Sequence, residues 1–196
     1  MTDKEVVRLS YSIVEKYFVE VPKDMESFIR YLGIKIKPLS FYLENGFSTQ
    51  EVFDILGNDD GAAMKCDDYL IVYNDKKPPK RIRFTLAEEL MHIVLGHTDD
   101  ERFELGKDYD TQLYQQYEHE AKLGASILLM PPSIYFRYKT VCSLRKLASQ
   151  LNISEAAAFR IKQFYDVNEW VRDFSYQPLC DIKVNHSIKP IYVRKT

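Results

Sequence analysis

Apolar residues recur three and four positions apart along the N-terminal part of the chain. Over residues 4–18 this spacing predicts an amphipathic helix. A second helical stretch begins at Pro22 and ends at Gly33. The next residues, 34–38, alternate between apolar and polar side chains, which predicts a short, half-buried strand.

The middle of the chain carries capping and turn signals. Ser48 and Glu51 have the spacing of a capping box, which predicts a short helix that ends near Gly57. Residues 61–73 have the pattern of two strands joined by a turn at residues 67–68. These strands predict a small antiparallel sheet.

The C-terminal half is mostly helical in pattern. Its longest apolar run, residues 82–97, is too long for a strand and predicts a helix, and a second long helix is expected over 110–129. Two shorter helices are expected over 141–150 and 154–165, and the tail, 167–196, contains strand-like patches. Helices, then a small sheet, then helices predict an α+β fold.

Composition places the chain among globular proteins. Its 196 residues are 45% hydrophobic and 29% charged, which excludes disorder over most of the chain and fits one domain or one domain with a small appendage. The net charge of −2 argues against non-specific coating of nucleic acid as the main activity. Three widely spaced cysteines, Cys66, Cys142 and Cys180, exclude a disulfide framework and a cysteine zinc ribbon.

Targeting and membrane signals are not found in the sequence. The N-terminus lacks the apolar core of a signal peptide, and no window reaches the roughly 18 apolar residues that span a bilayer. We therefore expect a cytoplasmic protein with no membrane partner.

The predicted helix over 82–97 contains charges that need an explanation. Between residues 84 and 95 the only ionisable side chains are Glu88, Glu89 and His92, and apolar residues surround them on all sides of the helix. Buried carboxylates need partners, since removing water from an unpaired carboxylate costs several kcal/mol or more. Glu88 and His92 are four residues apart on one helix face, so both side chains could reach one metal ion.

The second long helix offers a further ligand for such an ion. Glu118, His119 and Glu120 precede another strongly apolar stretch, and three of the four histidines of the chain lie in these two helices. The alternative is a structural ion-pair network, in which Glu88 and Glu89 pair with nearby arginine or lysine side chains. Spacing alone favours that alternative, because most such pairs are structural.

Two blocks of sequence resemble the ImmA/IrrE family of metallo-endopeptidases. The first block corresponds to the family's R-x-R-F-T-L-A-H-E-L-G-H pattern, and its matching residues are Arg81, Arg83, Phe84, Thr85, Leu86, Ala87, Glu89, Leu90 and His92. The second corresponds to E-x-E-A followed by L-L-M-P, matched by Glu118, Glu120, Ala121 and Leu128 to Pro131. The resemblance covers roughly residues 1–165.

The resemblance assigns roles residue by residue and shows one departure. It implies His92 and Glu118 as metal ligands, with Glu120 as the alternative third ligand, and Glu89 as the catalytic general base. Glu88 stands where the family has the first histidine of H-E-x-x-H, and a carboxylate there can still bind zinc.

The implied cofactor is Zn²⁺, in a site whose chemistry Glu88 alters. One imidazole and two carboxylates bring two negative charges to the ion instead of the single charge of two imidazoles and one carboxylate. The ion should then be a weaker Lewis acid. Oxygen ligands also shift metal preference toward harder ions such as Mn²⁺ or Mg²⁺.

The resemblance implies a fold and a function as well. The expected fold is a mostly helical zincin-like domain of the minimal gluzincin kind over 1–135, with a helix-turn-helix-like segment over 136–166 and a tail over 167–196. The implied activity is hydrolysis of a peptide bond in an intracellular regulatory protein, such as a DNA-binding repressor. Such proteins are often found on bacterial mobile elements, phages or stress-response loci.

Two other functions remain open. One is a zincin-like domain with weakened catalysis that works by binding a protein partner. The other is direct DNA binding by residues 144–163, which resemble a helix-turn-helix capped at Ser154. From Arg137 to Phe164 six basic residues face one acidic residue, a local charge of +5. The alternative for this segment is a pair of buttressing helices with a solvated basic face.

Overall fold

The computed structural model describes residues 1–17, 21–56, 60–100 and 112–175. Their elements, in chain order, are α1 (Asp3–Tyr17), α2 (Met25–Tyr31), β1 (Lys35–Pro38), α3 (Leu39–Glu44), α4 (Thr49–Leu56), β2 (Gly61–Lys65), β3 (Tyr69–Tyr73), α5 (Pro79–Val94), α6 (Gln112–Leu129), α7 (Pro132–Tyr138), α8 (Leu144–Gln150) and α9 (Glu155–Val167). Short 3₁₀ helices cover His97–Asp99 and Glu169–Ser175. The predicted α+β fold, mostly helical with a small sheet, is confirmed.

The described residues divide into two compact units. Residues 24–121 form one unit, which contains the sheet and α5. Residues 1–23 and 122–175 belong to the other unit. This second unit therefore contains α1, the part of α6 from residue 122 onward, and α7 to α9. The predicted domain boundary at residue 135 stays a prediction. Within the described ranges, no helix is long and apolar enough to cross a membrane.

The sheet has three strands in the order β1–β3–β2. β2 and β3 form the predicted antiparallel hairpin, with Ala63 opposite Ile71. β1 runs parallel to β3, with Ile36 opposite the same Ile71, so the sheet is mixed and the prediction of an antiparallel sheet was wrong at this strand. A tight turn gives only antiparallel pairing, whereas β1 reaches β3 through a long connection that contains α3 and α4.

Helix α5 packs on this sheet and on α2. It begins earlier than predicted, at Pro79, because proline is well tolerated in the first turn of a helix, where its missing N–H has no partner to lose. It ends earlier too, because Gly96 takes a left-handed conformation with φ of +76°. This reversal turns His97 out of the helix direction, so the predicted end at residue 97 was wrong.

Capping explains several other boundaries. The predicted capping box at the start of α4 is present, since the Glu51 carboxylate accepts hydrogen bonds from the backbone N–H and the hydroxyl of Ser48. Ser154 caps α9 by accepting from the Ala157 N–H at 3.1 Å, as predicted. Two short helices, α3 and α7, were not predicted, because neither shows a full turn of clear apolar periodicity.

Candidate metal centre

Helix α5 carries three ionisable side chains into the protein interior. Glu88, Glu89 and His92 are only 7%, 8% and 2% exposed, which confirms the burial that the apolar surroundings predict. Leu90 and Met91, between them in the chain, are fully buried. The helix therefore holds two carboxylates and an imidazole in a region from which water is largely excluded.

His92 faces Glu118 on α6. The His92 Nε2 atom lies 3.2 Å from Glu118 Oε1, and the Glu118 side chain is 19% exposed. Two ligands on one tetrahedral zinc ion, each bonded at about 2.0 to 2.1 Å, are separated by about 3.3 Å. The pair therefore has the spacing of two ligands of one ion, as well as that of a direct hydrogen bond.

The other ring nitrogen of His92 begins a second set of contacts. His92 Nδ1 lies 3.1 Å from His97 Nδ1. The His97 Nε2 atom lies 3.0 Å from Glu120 Oε2, and Glu120 Oε1 accepts a hydrogen bond of 2.8 Å from the Gln116 amide. Glu120 is thus directed at His97, while Glu118 is directed at His92.

Several contacts hold His97 in place. The Tyr117 ring stacks on the His97 ring with centroids 4.2 Å apart and planes 9° from parallel. The Tyr117 hydroxyl donates to Asp100 at 2.5 Å. The 3₁₀ helix that carries His97 is tied to the sheet at Asp99, which accepts hydrogen bonds from Lys65 and from the Tyr69 hydroxyl.

The two histidines differ in protonation. Burial lowers the pKa of His92, but the hydrogen bond to Glu118 and the charges of the surrounding carboxylates outweigh burial, so its pKa lies above the ordinary value. Burial, reinforced by the charge of His92, lowers the pKa of His97 to about 4, although Glu120 opposes this shift. At neutral pH His97 is therefore a neutral imidazole with one donor and one acceptor nitrogen.

Gly61, at the start of β2, allows the strand to pass close to Glu89. A Cβ atom at this position would lie 2.5 Å from Thr85 Cγ2 and 3.2 Å from Glu89 Oε1. The first distance is shorter than side chains tolerate, so only glycine fits without a shift of strand or helix. The sequence argument missed this residue, although an isolated glycine at the start of a strand signals close approach of another element.

A family comparison bears on the same helices. Residues 30–162 match the family model of a peptidase family described as the IrrE N-terminal-like domain. The match spans well over half of the chain. The chain belongs to the IrrE N-terminal-like domain family. The expectation drawn from the two sequence blocks is thereby confirmed at the level of the family.

A named relative of this IrrE-like chain is the radiation response metalloprotease IrrE of Deinococcus deserti. The two sequences are 36% identical over 80 residues, which is 40% of this chain. The match covers 28% of the relative's own length. The match supports the family assignment and a metalloprotease type of chemistry. It covers too little of the relative for the relative's whole activity to be assigned to this chain.

The predicted ligands of the IrrE-like chain are only partly brought together. His92 and Glu118 approach each other, whereas Glu120 contacts His97 instead. Glu88 is buried one turn before His92, and its charge contributes to the raised pKa of that imidazole. Among the described residues, no three His, Cys, Asp or Glu side chains are arranged as a metal-binding group. The ligand set stays a prediction.

The residues present nevertheless fit a divalent ion in their chemistry. A neutral imidazole nitrogen and carboxylate oxygens are ligands that zinc accepts, and a catalytic zinc site needs three protein ligands. Two of the predicted ligands, His92 and Glu118, lie at a spacing that is compatible with a shared ion. The predicted ligands are one imidazole and two carboxylates. They therefore suit a metal ion that accepts more oxygen ligands than a site of two imidazoles and one carboxylate provides.

The helix-turn-helix-like segment lies outside the unit that holds these residues. Its turn contains Asn152 in a left-handed conformation, with φ of +54°. Arg145 pairs with Glu155 at 3.0 Å. Lys162 pairs with Asp166, which lies two residues beyond the segment of local charge +5 that ends at Phe164. Glu155 is already included in the local charge of +5, so only Asp166 offsets that charge further. Direct DNA binding by this segment stays a prediction.

Proposed function

We propose that this chain is a metal-dependent endopeptidase that hydrolyses a peptide bond in a regulatory, repressor-like protein. The observation that carries the proposal is the approach of His92 Nε2 to Glu118 Oε1 at ligand spacing, on the helices that match the peptidase family. The name of the relative from Deinococcus deserti supports the type of chemistry. The substrate class is supported by the family resemblance alone.

In this proposal His92, Glu118 and Glu88 hold the ion. Bound there, the ion would supply Lewis acidity toward the water and the scissile carbonyl group. Three protein ligands leave room for the reacting groups. Zn²⁺ is the cofactor that the family implies, and the carboxylate of Glu88 favours Mn²⁺ more than an imidazole at that position would.

Glu89 has the role of general base. Its carboxylate takes a proton from the attacking water as the water oxygen bonds to the scissile carbonyl carbon. It then delivers that proton to the leaving amine nitrogen as the C–N bond breaks. Glu89 is buried beside Gly61, so little bulk water reaches its carboxylate.

A specific observation favours a second function, that of a protein-binding module with weakened catalysis. Glu88 occupies the position of a family histidine, and the three predicted ligands are not assembled as a group among the described residues. A site with two carboxylates also neutralises the ion more fully, which weakens activation of water. Such a protein would bind its partner without cutting it.

Cleavage of a proteome-derived peptide library tests the first function against the second. The native chain is incubated with added Zn²⁺ or Mn²⁺, and mass spectrometry detects new peptide termini. We expect cleavage that falls by about 10²- to 10⁴-fold in Glu89→Gln. The matched control, Glu155→Gln, makes the same change on the exposed face of α9 and should cut like the native chain.

Two outcomes would contradict the peptidase proposal. One is cleavage that persists unchanged in Glu89→Gln, which would point to a contaminating protease. The other is a native chain that cuts nothing with either metal, which would favour the binding module. If cleavage occurs, candidate DNA-binding repressors become the next substrates, and an uncut repressor would contradict the proposed substrate class.

A further inference from the structure

His92, a predicted metal ligand, begins a line of contacts through three further side chains, which are His97, Glu120 and Gln116. His92 Nδ1 meets His97 Nδ1 at 3.1 Å, and His97 Nε2 meets Glu120 Oε2 at 3.0 Å. Beyond His97, the Gln116 amide donates to Glu120 Oε1 at 2.8 Å. Both histidines and Glu120 are only 2% exposed, so water contributes little to these contacts.

Glu120 sets the direction of every hydrogen bond in this line. An ionised carboxylate only accepts hydrogen bonds, so the hydrogen between Glu120 and His97 sits on His97 Nε2. A neutral imidazole carries one ring N–H hydrogen, so His97 Nδ1 then carries none and must accept the hydrogen bond from His92. The hydrogen between the two rings therefore sits on His92 Nδ1. One acidic side chain thus fixes the hydrogens of two imidazoles.

The consequence falls on the other nitrogen of His92. In the metal-free chain His92 Nε2 donates a hydrogen bond to Glu118 at 3.2 Å. When an ion takes the place of that hydrogen, the hydrogen on Nδ1 stays directed at His97, and the lone pair of His92 is on Nε2. That is the only arrangement in which Nε2 can bind an ion, because a metal-ligating nitrogen must carry no hydrogen. A partner on the opposite ring nitrogen also holds the ring in orientation.

We propose that His97 and Glu120 are positioning residues that form a relay behind His92, holding that imidazole in its Nδ1–H form so that Nε2 is directed at a divalent ion. The metal-binding consequence rests on the proposed function, whereas the relay itself is a property of the metal-free chain. Glu120 then has a role other than the alternative third ligand that the sequence suggested.

The surrounding structure holds the relay in one geometry. Gly96 ends α5 in a left-handed conformation, which lets His97 turn back toward His92. Tyr117 stacks on the face of His97, so its ring cannot rotate without breaking that contact. Because Glu88 replaces a family histidine, His92 is the one imidazole in the predicted ligand set. Its orientation therefore matters more for metal binding than it would in a site with two imidazoles.

Histidine NMR of the metal-free native chain tests the relay directly. Ring ¹⁵N signals report which nitrogens carry hydrogen, and single histidine-to-glutamine variants assign them. We expect His97 in the Nε2–H form with a bare Nδ1, and a hydrogen on His92 Nδ1. A hydrogen on His97 Nδ1 would overturn the proposal, because that nitrogen could then not accept from His92.

A pair of variants tests what the relay does for metal binding. Glu120→Gln keeps the shape of the side chain but adds an amide that can donate to His97 Nε2, which permits the reversed arrangement of hydrogens. We expect Glu120→Gln to weaken Zn²⁺ binding by about 10- to 100-fold in competition with a chromogenic chelator. The matched control, Glu155→Gln, makes the same change at a side chain that is 63% exposed on α9 and should leave zinc affinity unchanged.

The two measurements separate this proposal from the proposed function. Unchanged zinc affinity in Glu120→Gln, in a chain whose fold is intact by its melting temperature, would overturn the relay. A native chain that binds neither Zn²⁺ nor Mn²⁺ but shows the expected hydrogens would support the relay and contradict the peptidase proposal. Expected hydrogens together with the loss of affinity in Glu120→Gln would support both.

Discussion

Two regions of this molecule use their ionisable side chains differently. On α5, α6 and the 3₁₀ helix that follows α5, His92, His97 and Glu120 are buried, and each ring nitrogen has a partner in a defined direction. On α8 and α9, Arg145 and Glu155 also form a pair, but their side chains are 83% and 63% exposed. The contacts have nearly equal lengths, so distance does not distinguish the two regions.

Burial is what distinguishes them. An exposed ion pair gains little, because water solvates both partners and the long side chains lose conformational freedom when they pair. A buried polar group that loses its partner has no water to replace it. Residue identity in the buried region is therefore specified by chemistry, whereas the basic surface of α8 and α9 is compatible with many sequences.

The largest expected difference between the regions is in stability without metal. After treatment with chelator, His97→Ala should lower the free energy of unfolding by about 2–4 kcal/mol, because it leaves a cavity and removes the buried contacts of His97 with His92 and Glu120. Arg145→Ala, on the exposed pair, should change it by less than about 0.5 kcal/mol. Urea denaturation of both variants measures this difference, and equal losses would contradict the comparison.

A smaller effect is expected where the sheet passes α5. Gly61→Ala should cost about 1–3 kcal/mol of stability, since its new methyl group would overlap Thr85 Cγ2. Thr85→Ser removes that methyl group, so the double variant should recover much of the loss. A double-mutant cycle by urea denaturation measures this coupling. Additive losses would show that the close approach of Gly61 to Thr85 does not limit the packing.

The smallest expected effect is a pH-dependent one at Asp99. The hydrogen bond from Lys65, with help from that of Tyr69, holds the pKa of Asp99 below its ordinary value, although burial opposes the shift. Its folded pKa is therefore lower than its unfolded pKa, so the stabilisation exists at neutral pH and disappears as the pH falls below about 4.

Asp99→Asn isolates that contribution. At pH 7 the variant should be less stable than the native chain by under about 1 kcal/mol, because the Asp99 side chain is 37% exposed. The gap in the free energy of unfolding should narrow as the pH is lowered through the folded pKa of Asp99. A difference in stability between the two chains that widens in acid would contradict the lowered pKa of Asp99.

The sequence predicted much of the fold and the identity of the central helix. Apolar periodicity located α1, α5 and α6, and the capping signals of α4 and α9 were read correctly. Burial of Glu88, Glu89 and His92 followed from their apolar surroundings alone. These features are local, so a one-dimensional pattern contains them.

Features that depend on distant parts of the chain could not be predicted in the same way. The parallel pairing of β1 depends on where two helices return the chain, and no local pattern encodes it. The role of Gly61 depends on a helix more than twenty residues later. The choice between Glu118 and Glu120 depends on the left-handed turn at Gly96, which directs His97 toward Glu120 and leaves Glu118 for His92.

Metal content tests the central claim, that His92, Glu118 and Glu88 form a working site, most directly. Elemental analysis would compare the native chain, purified without tags or chelators, with His92→Ala and Glu88→His. The account predicts about one equivalent of divalent metal in the native chain and none in His92→Ala. An empty native chain beside a filled Glu88→His variant would contradict it, because the scaffold would then be intact while the native ligand set binds no ion.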